Sequence, residues 1–155
     1  LRPKLDVYFV NLANVVATRS TCLRRQVGCV LVDERRHVLT TGYNGSPVGL
    51  PNCCDLGRCR REASASGVGL EGACDAVHAE QNALLQCANV DVIRTCYVTT
   101  SPCTWCTRLL LNTGCTRVVY LNAYADVDAA RTFWAAGGRG PFVSLSELLG
   151  KGTNP

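Results

Sequence analysis

The chain has 155 residues, 47% of them hydrophobic and 18% charged, and a formal net charge of +4. That is enough apolar material to bury the core of one ordinary domain, which excludes a disordered tail or a small disulfide-stapled scaffold. The modest positive charge favours small anionic ligands over long nucleic acid, and apolar runs such as Val27 to Val32 fall far short of the roughly 20 residues that cross a bilayer.

Leu-Arg-Pro-Lys opens the chain without the apolar core and cleavage site of a secretory signal, and without Met, so further native residues are expected before it. Leu5 to Thr18 places Leu5, Tyr8, Phe9, Leu12, Val15 and Val16 at helical spacing and predicts a first helix. Val27 to Val32 and Val38 to Tyr43, separated by Asp33-Glu34-Arg35-Arg36, read as a strand hairpin with the two arginines in a solvated turn. From Asn44 to Ala76 periodicity is lost; an irregular stretch of that length in a compact domain is expected to be functional or pinned down. Helix is predicted over Val77 to Ala88, strand over Val92 to Thr99, helix over Cys103 to Asn112, strand over Arg117 to Leu121, helix over Val127 to Ala136 and a short strand over Phe142 to Ser144, with Lys151 to Pro155 frayed. This order predicts a single α/β domain over residues 1–155, with helices on both faces of a mixed sheet that is antiparallel at its hairpin and mainly parallel afterwards.

Eleven cysteines cannot all pair, and without a secretory signal the chain is expected in the reducing cytoplasm, where clustered cysteines serve as metal ligands or catalytic groups. Cys29, Cys87, Cys96 and Cys115, each inside an apolar run, read instead as small buried hydrophobes. Of the 16 basic residues 14 are Arg, clustered at Arg24-Arg25, Arg35-Arg36 and Arg58 with Arg60-Arg61; the planar guanidinium suits phosphate.

The chemistry concentrates at two predicted helix starts, His78-Ala79-Glu80 and Pro102-Cys103-Thr104-Trp105-Cys106. Cysteines three apart in a first helical turn can direct both sulfurs at one metal, and thiolates with an imidazole are preferred zinc ligands. Three protein ligands leave the fourth tetrahedral position open for water, the mark of a catalytic site. Glu80, two residues from His78, is badly placed to ligate but well placed to shuttle a proton.

This His-x-Glu and Pro-Cys-x-x-Cys combination is the signature of zinc nucleobase deaminases. With Arg19 to Gly28, Thr41-Gly42-Tyr43-Asn44-Gly45-Ser46-Pro47, His78 to Ala83 and Tyr97 to Cys103, the chain resembles the zinc-dependent cytidine and deoxycytidylate deaminase superfamily, and most closely its bacterial and phage deoxycytidylate (dCMP) deaminases. The resemblance implies a cytidine deaminase-like three-layer α/β/α sandwich with a five-stranded mixed sheet. It implies hydrolytic deamination of dCMP to dUMP, with zinc on His78, Cys103 and Cys106, attack of water at C4, and Glu80 moving protons. The Ala79 amide would meet the base carbonyl, Asn44 the deoxyribose, and Tyr124 would close over the nucleotide or else merely pack. Arg25, and less directly Arg24, would take the 5′-phosphate or the phosphates of an effector. A second, structural zinc is implied at Cys22, Cys59, Cys74 and one of Cys53 and Cys54, with Cys53 favoured by its place after Pro51; the alternative is ordinary thiols in a loop. The family also implies a homo-hexamer, activated by dCTP with Mg²⁺ and inhibited by dTTP, with Arg24, Tyr43 and Gly45 as effector-site candidates. It further implies a location in the cytoplasm, or the host cytoplasm if phage-encoded, and no stable nucleic-acid partner. C5-substituted dCMP stays open as a substrate. A tRNA adenosine deaminase and a catalytically silent zinc-binding interaction module are the competing readings, disfavoured respectively by the Arg-Arg-Gln-Val-Gly stretch and by Glu80.

Overall fold

The computed structural model describes residues 1–59 and 74–150; the Arg60-Arg61 pair and the Lys151 to Pro155 end lie outside them. Five strands form one sheet in the order β2-β1-β3-β4-β5: β1 (Gly28–Val32), β2 (Val38–Tyr43), β3 (Thr95–Thr100), β4 (Arg117–Asn122) and β5 (Phe142–Ser144). β1 is antiparallel to both β2 and β3, whereas β3, β4 and β5 run parallel.

All five residues of β1 are buried because both faces of the sheet are covered. Alternation along the strands sends Cys29, Leu31, Cys96, Val98 and Val118 to one core with Ala79 and Ala83 of α3 (Ala79–Gln86), Leu110 of α4 (Thr104–Leu111) and Trp134 of α5 (Val127–Ala136). Val30, Val32, Tyr97 and Val119 face the other way, onto Phe9, Val10 and Ala13 of α1 (Leu5–Ala17) and Leu145 of α6 (Leu145–Gly150). The molecule is thus the expected three-layer sandwich. Among the described residues no helix is long and apolar enough to cross a membrane.

Four departures from the expected elements have local causes. The third strand starts at Thr95 because Val90–Val92 winds into a 3₁₀ turn whose Asp91 amide donates to the Asn89 side chain at 3.0 Å. Helix α3 covers only Ala79–Gln86 of the span from Val77 to Ala88, since Val77 is held in a bridge to Gly45. A short α2 (Cys53–Leu56) interrupts the long irregular stretch, and α6 follows β5 directly. The α6 start is a capping box: the Ser144 hydroxyl accepts from the Glu147 amide at 3.1 Å, and Glu147 Oε2 accepts from the Ser144 amide at 2.6 Å.

Two features fix the helices on the sheet. Gly42 lets α3 lie directly on β2, for a Cβ there would stand 2.3 Å from both the Ala79 carbonyl and the Ala83 nitrogen. On the opposite face Asp6 of α1 binds Arg117 of β4 bidentately, at 2.7 Å and 3.0 Å, and accepts from the Tyr97 hydroxyl of β3 at 2.8 Å. Hydrogen bonding to the Arg117 guanidinium holds the Asp6 carboxyl below its ordinary value, against the opposing effect of burial. Its folded pKa therefore lies below the unfolded value of about 3.9, so its stabilisation is complete above that value and is lost as pH falls through the depressed one. Asp6→Asn is expected to cost about 1 to 3 kcal/mol at neutral pH. Urea unfolding of the two proteins should show that difference shrinking below about pH 4, as the carboxylate protonates.

Candidate functional site

Because β2 points the same way as β3 and β4 while β1, between β2 and β3, points the other way, one edge of the sheet gathers Val27 before β1, Asn44 after β2, Thr100 and Ser101 at the end of β3, and Tyr124 after β4. The N-termini of α3 and α4 open onto this same edge. His78 is the N-cap of α3 and Cys103 the N-cap of α4. His78 Nδ1 lies 3.5 Å from Cys103 Sγ and 3.4 Å from Cys106 Sγ. Zinc bonds of about 2.3 Å to sulfur and 2.0 Å to nitrogen put a sulfur and a nitrogen on adjacent tetrahedral corners roughly 3.5 Å apart, so His78 Nδ1 already stands from each sulfur as such an ion requires.

The electrostatics agree with that geometry. A hydrogen bond from Cys106 pulls the Cys103 thiol down to about 4, with His78 helping, while the neighbouring Cys103 sulfur and burial push Cys106 far up. A divalent cation there would favour both sulfurs as thiolates. Both cysteines are buried and His78 is exposed, so the cluster opens on the histidine side. Glu80, only 3% exposed, has its carboxyl pushed up to about 7, chiefly by burial, with opposing help to the charged form from hydrogen bonding and His78.

One cavity is lined by His78, Ala79, Glu80 and Cys103 together with Arg24, Arg25, Asn44 and Tyr124. The Arg25 guanidinium sits 4.8 Å from the centre of the Tyr124 ring, a cation–π contact that holds the two side chains as a pair. Asn44 Oδ1 accepts from the Val27 amide at 2.8 Å and the Ser20 hydroxyl at 2.6 Å, and its Nδ2 donates to the Arg25 carbonyl at 2.8 Å. Asn44 therefore lines the cavity and also ties down the segment that carries both arginines. Three residues not singled out in the sequence complete the frame. Ser20 braces Asn44, Ser101 Oγ accepts from the Tyr124 amide at 2.7 Å, and Asp126 Oδ2 accepts from the Thr104 amide at 2.9 Å.

The cysteines of the irregular stretch meet beside this cavity. Cys22, Cys53, Cys59 and Cys74 line a second, smaller hollow, and Cys22, Cys59 and Cys74 line both. Their sulfurs do not converge as His78, Cys103 and Cys106 do, the latter being the cluster within 4.8 Å among the described residues. Cys54 is exposed, with its thiol directed to Asp55 Oδ1 at 3.7 Å, so Cys53 and not Cys54 faces the other three. Arg24 lines the larger cavity and Gly45 the smaller, whereas Tyr43 is half exposed at the end of β2 and lines neither. Cys29, Cys96 and Cys115 are buried as expected; Cys87 is only partly so, its thiol donating to the Asn89 carbonyl at 3.3 Å.

Comparison with known proteins gives the same direction. The family described as cytidine and deoxycytidylate deaminase zinc-binding region matches residues 3–122. A deoxycytidylate deaminase of Mycobacterium phage D29 is 46% identical over 126 residues, 77% of this chain and 95% of that protein. A deoxycytidylate deaminase of Schizosaccharomyces pombe is 43% identical over 140 residues, 88% of this chain but 43% of the relative. The chain spans about two fifths of the length of that protein and of its Saccharomyces cerevisiae counterpart. The crystal structure of dCMP deaminase from the cyanophage S-TIM5 in complex with dCMP and dUMP superposes with a TM-score of 0.73 at 25% identity, over 92% of this chain and 98% of that one.

Asn44→Asp keeps both acceptors but sets a carboxylate oxygen against the Arg25 carbonyl. A loss of about 1 to 3 kcal/mol is expected from the urea midpoint, with faster trypsin cleavage after Arg24 and Arg25 as their segment loosens.

Proposed function

The chain belongs to the cytidine and deoxycytidylate deaminase zinc-binding family, and from that premise we propose that it hydrolyses dCMP to dUMP and ammonia. The observation that carries this reading is one cavity in which His78 and Cys103 of the His-Cys-Cys cluster and the buried carboxylate of Glu80 share the walls with two arginines. A nucleoside or free base needs no such cationic wall; a nucleotide monophosphate does.

His78, Cys103 and Cys106 would hold zinc, which would supply a Lewis acid able to make water a competent nucleophile near neutral pH. Glu80 would accept one proton from the attacking water and deliver it to N3 of the cytosine, then take the remaining proton from the new C4 hydroxyl and pass it to the 4-amino group, which leaves as ammonia while the C4 carbonyl forms. A carboxyl pushed up to about 7 suits both directions of transfer. The Ala79 amide, at the first position of α3, donates to the base carbonyl, where the helix dipole favours negative charge. Arg25 and Arg24 bind the 5′-phosphate, Asn44 binds the sugar through its second amide hydrogen, and Tyr124 covers the nucleotide while holding Arg25.

A second zinc on Cys22, Cys53, Cys59 and Cys74 belongs to the same proposal. Their common hollow supports it, and four thiolates would close a structural shell and stiffen one wall of the substrate cavity. A cytoplasmic homo-hexamer responding to dCTP with Mg²⁺ and to dTTP completes the reading, on the resemblance of Gly42-Tyr43-Asn44-Gly45 and the arginine pair.

The test is loss of the cytosine ultraviolet band with dCMP, C5-substituted dCMP, deoxycytidine and cytidine, with and without dCTP and Mg²⁺; no turnover of dCMP in any condition refutes the proposal. Glu80→Gln should keep its zinc and lose about 10²- to 10⁴-fold in kcat. Arg25→Ala should lose about 10- to 100-fold in kcat/KM for dCMP, with deoxycytidine turnover little changed. Metal analysis should find two zinc per chain, still two in Cys54→Ser and one in Cys53→Ser; one zinc in the parent protein would remove the second site.

A further inference from the structure

We infer that Asp126 is a positioning residue for the metal cluster, acting as the N-terminal cap of a helix to which it does not belong. The inference rests on the zinc reading of His78, Cys103 and Cys106. Asp126 occupies the N-cap position of α5, where an aspartate ordinarily accepts from the amides of its own first turn. It makes no such bond. Its Oδ2 instead accepts from the Thr104 amide at the start of α4, at 2.9 Å.

Helix α4 needs that outside acceptor because its own N-cap residue is Cys103. The Cys103 sulfur accepts from the Cys106 amide at 3.5 Å, a long and weak cap, and it is also a metal ligand. A sulfur bound to zinc has less capacity left for the helix. With Asp126 in place, the residue between Cys103 and Trp105 is anchored from the β4–α5 connection, and the turn that brings both sulfurs toward His78 is held from outside. The same connection is stapled a second time, where the Tyr124 amide donates to Ser101 Oγ at 2.7 Å. The segment Ser101 to Thr104 is thus gripped at both ends by Tyr124 and Asp126.

Asp126 Oδ1 is buried and has no hydrogen-bond partner among the described residues. A carboxylate held this way is costly in a purely structural role, since an amide would make the same bond to Thr104 without burying a charge. The carboxylate reaches the cluster through the Thr104 amide, one residue from Cys103, and its negative charge there adds to the attraction for a dication held by the cysteines.

The test uses the full-length protein loaded with Zn²⁺ and, separately, with Co²⁺. Asp126→Ala should weaken zinc about 10- to 100-fold in a chelator competition and alter the thiolate-to-cobalt charge-transfer bands. Asp126→Asn, which retains an acceptor for Thr104, should restore the cobalt spectrum but recover zinc affinity only in part. Asp128→Ala, on the same helix, should change neither. Because a second zinc is proposed, the competition is read in the Cys53→Ser background, so that only the cluster at His78 is counted; absence of zinc there would refute the underlying zinc reading instead. Should Asp126→Ala prove too unstable, Asp126→Asn alone decides by its affinity. If Asp126 variants lower the melting temperature yet bind zinc as the parent does with an unchanged cobalt spectrum, the residue is merely structural and the inference is overturned.

Discussion

Everything at the site depends on two helix N-termini meeting at the same edge of the sheet. A helix start offers unpaired amides and partial positive charge, which favour thiolates and anionic ligands but must be stabilised by something. Here both N-cap positions carry metal-type ligands, His78 on α3 and Cys103 on α4. Neither is a strong capping residue, and losing a good cap costs about 1 kcal/mol. Each start is completed by another side chain: Gln81 Oε1, within α3 itself, accepts from the His78 amide at 2.8 Å, and Asp126, outside α4, accepts from Thr104. The closeness of α3 to β2 at Gly42 and the parallel crossover that carries α4 then determine how near the two starts lie.

The same placement creates the electrostatics. Glu80, the second residue of α3, lines the cavity and is almost fully buried, so burial lifts its carboxyl to about 7. Cys103 at the rim is held low by its neighbours, to about 4. Two acidic groups lining one cavity are thereby shifted in opposite directions by their environments, as the proposed roles of ligand and proton carrier require. Across the cavity, Arg25 is held over Tyr124, and Asn44 ties the backbone behind it. The cationic wall is organised before any ligand arrives, which limits what binding must order.

How much of this was legible in the sequence varies with how local the information is. His78, Glu80, Cys103 and Cys106 could be read because the chemistry lies in two short motifs at helix starts, and helix spacing alone directs the paired sulfurs one way. Most helices and strands were legible from periodicity, with the short α2 missed and α6 missed although Ser144 and Glu147 carry the spacing of a capping box. The place after Pro51 favours Cys53 over Cys54, and Cys53 is the one that lines the hollow with Cys22, Cys59 and Cys74, while the Cys54 thiol turns to Asp55. Ser101 and Asp126 were missed because each acts across 22 or 23 residues of sequence, and Asp126 in particular reads as the ordinary cap of its own helix. Asn44 was legible as a pocket residue but not as the tie that holds the arginine segment, which depends on β1 and β2 pairing in this register.

The central claim is that the His78, Cys103 and Cys106 cluster holds the zinc on which deamination depends. Its most direct test is ammonia released from dCMP labelled with ¹⁵N at the 4-amino group, measured on protein stripped of metal and on the same protein after zinc is returned. The account predicts no labelled ammonia from the stripped protein and one ammonia per dUMP formed once zinc is restored. Equal release by stripped and zinc-restored protein, or none from a protein shown to carry zinc at that cluster, would contradict it.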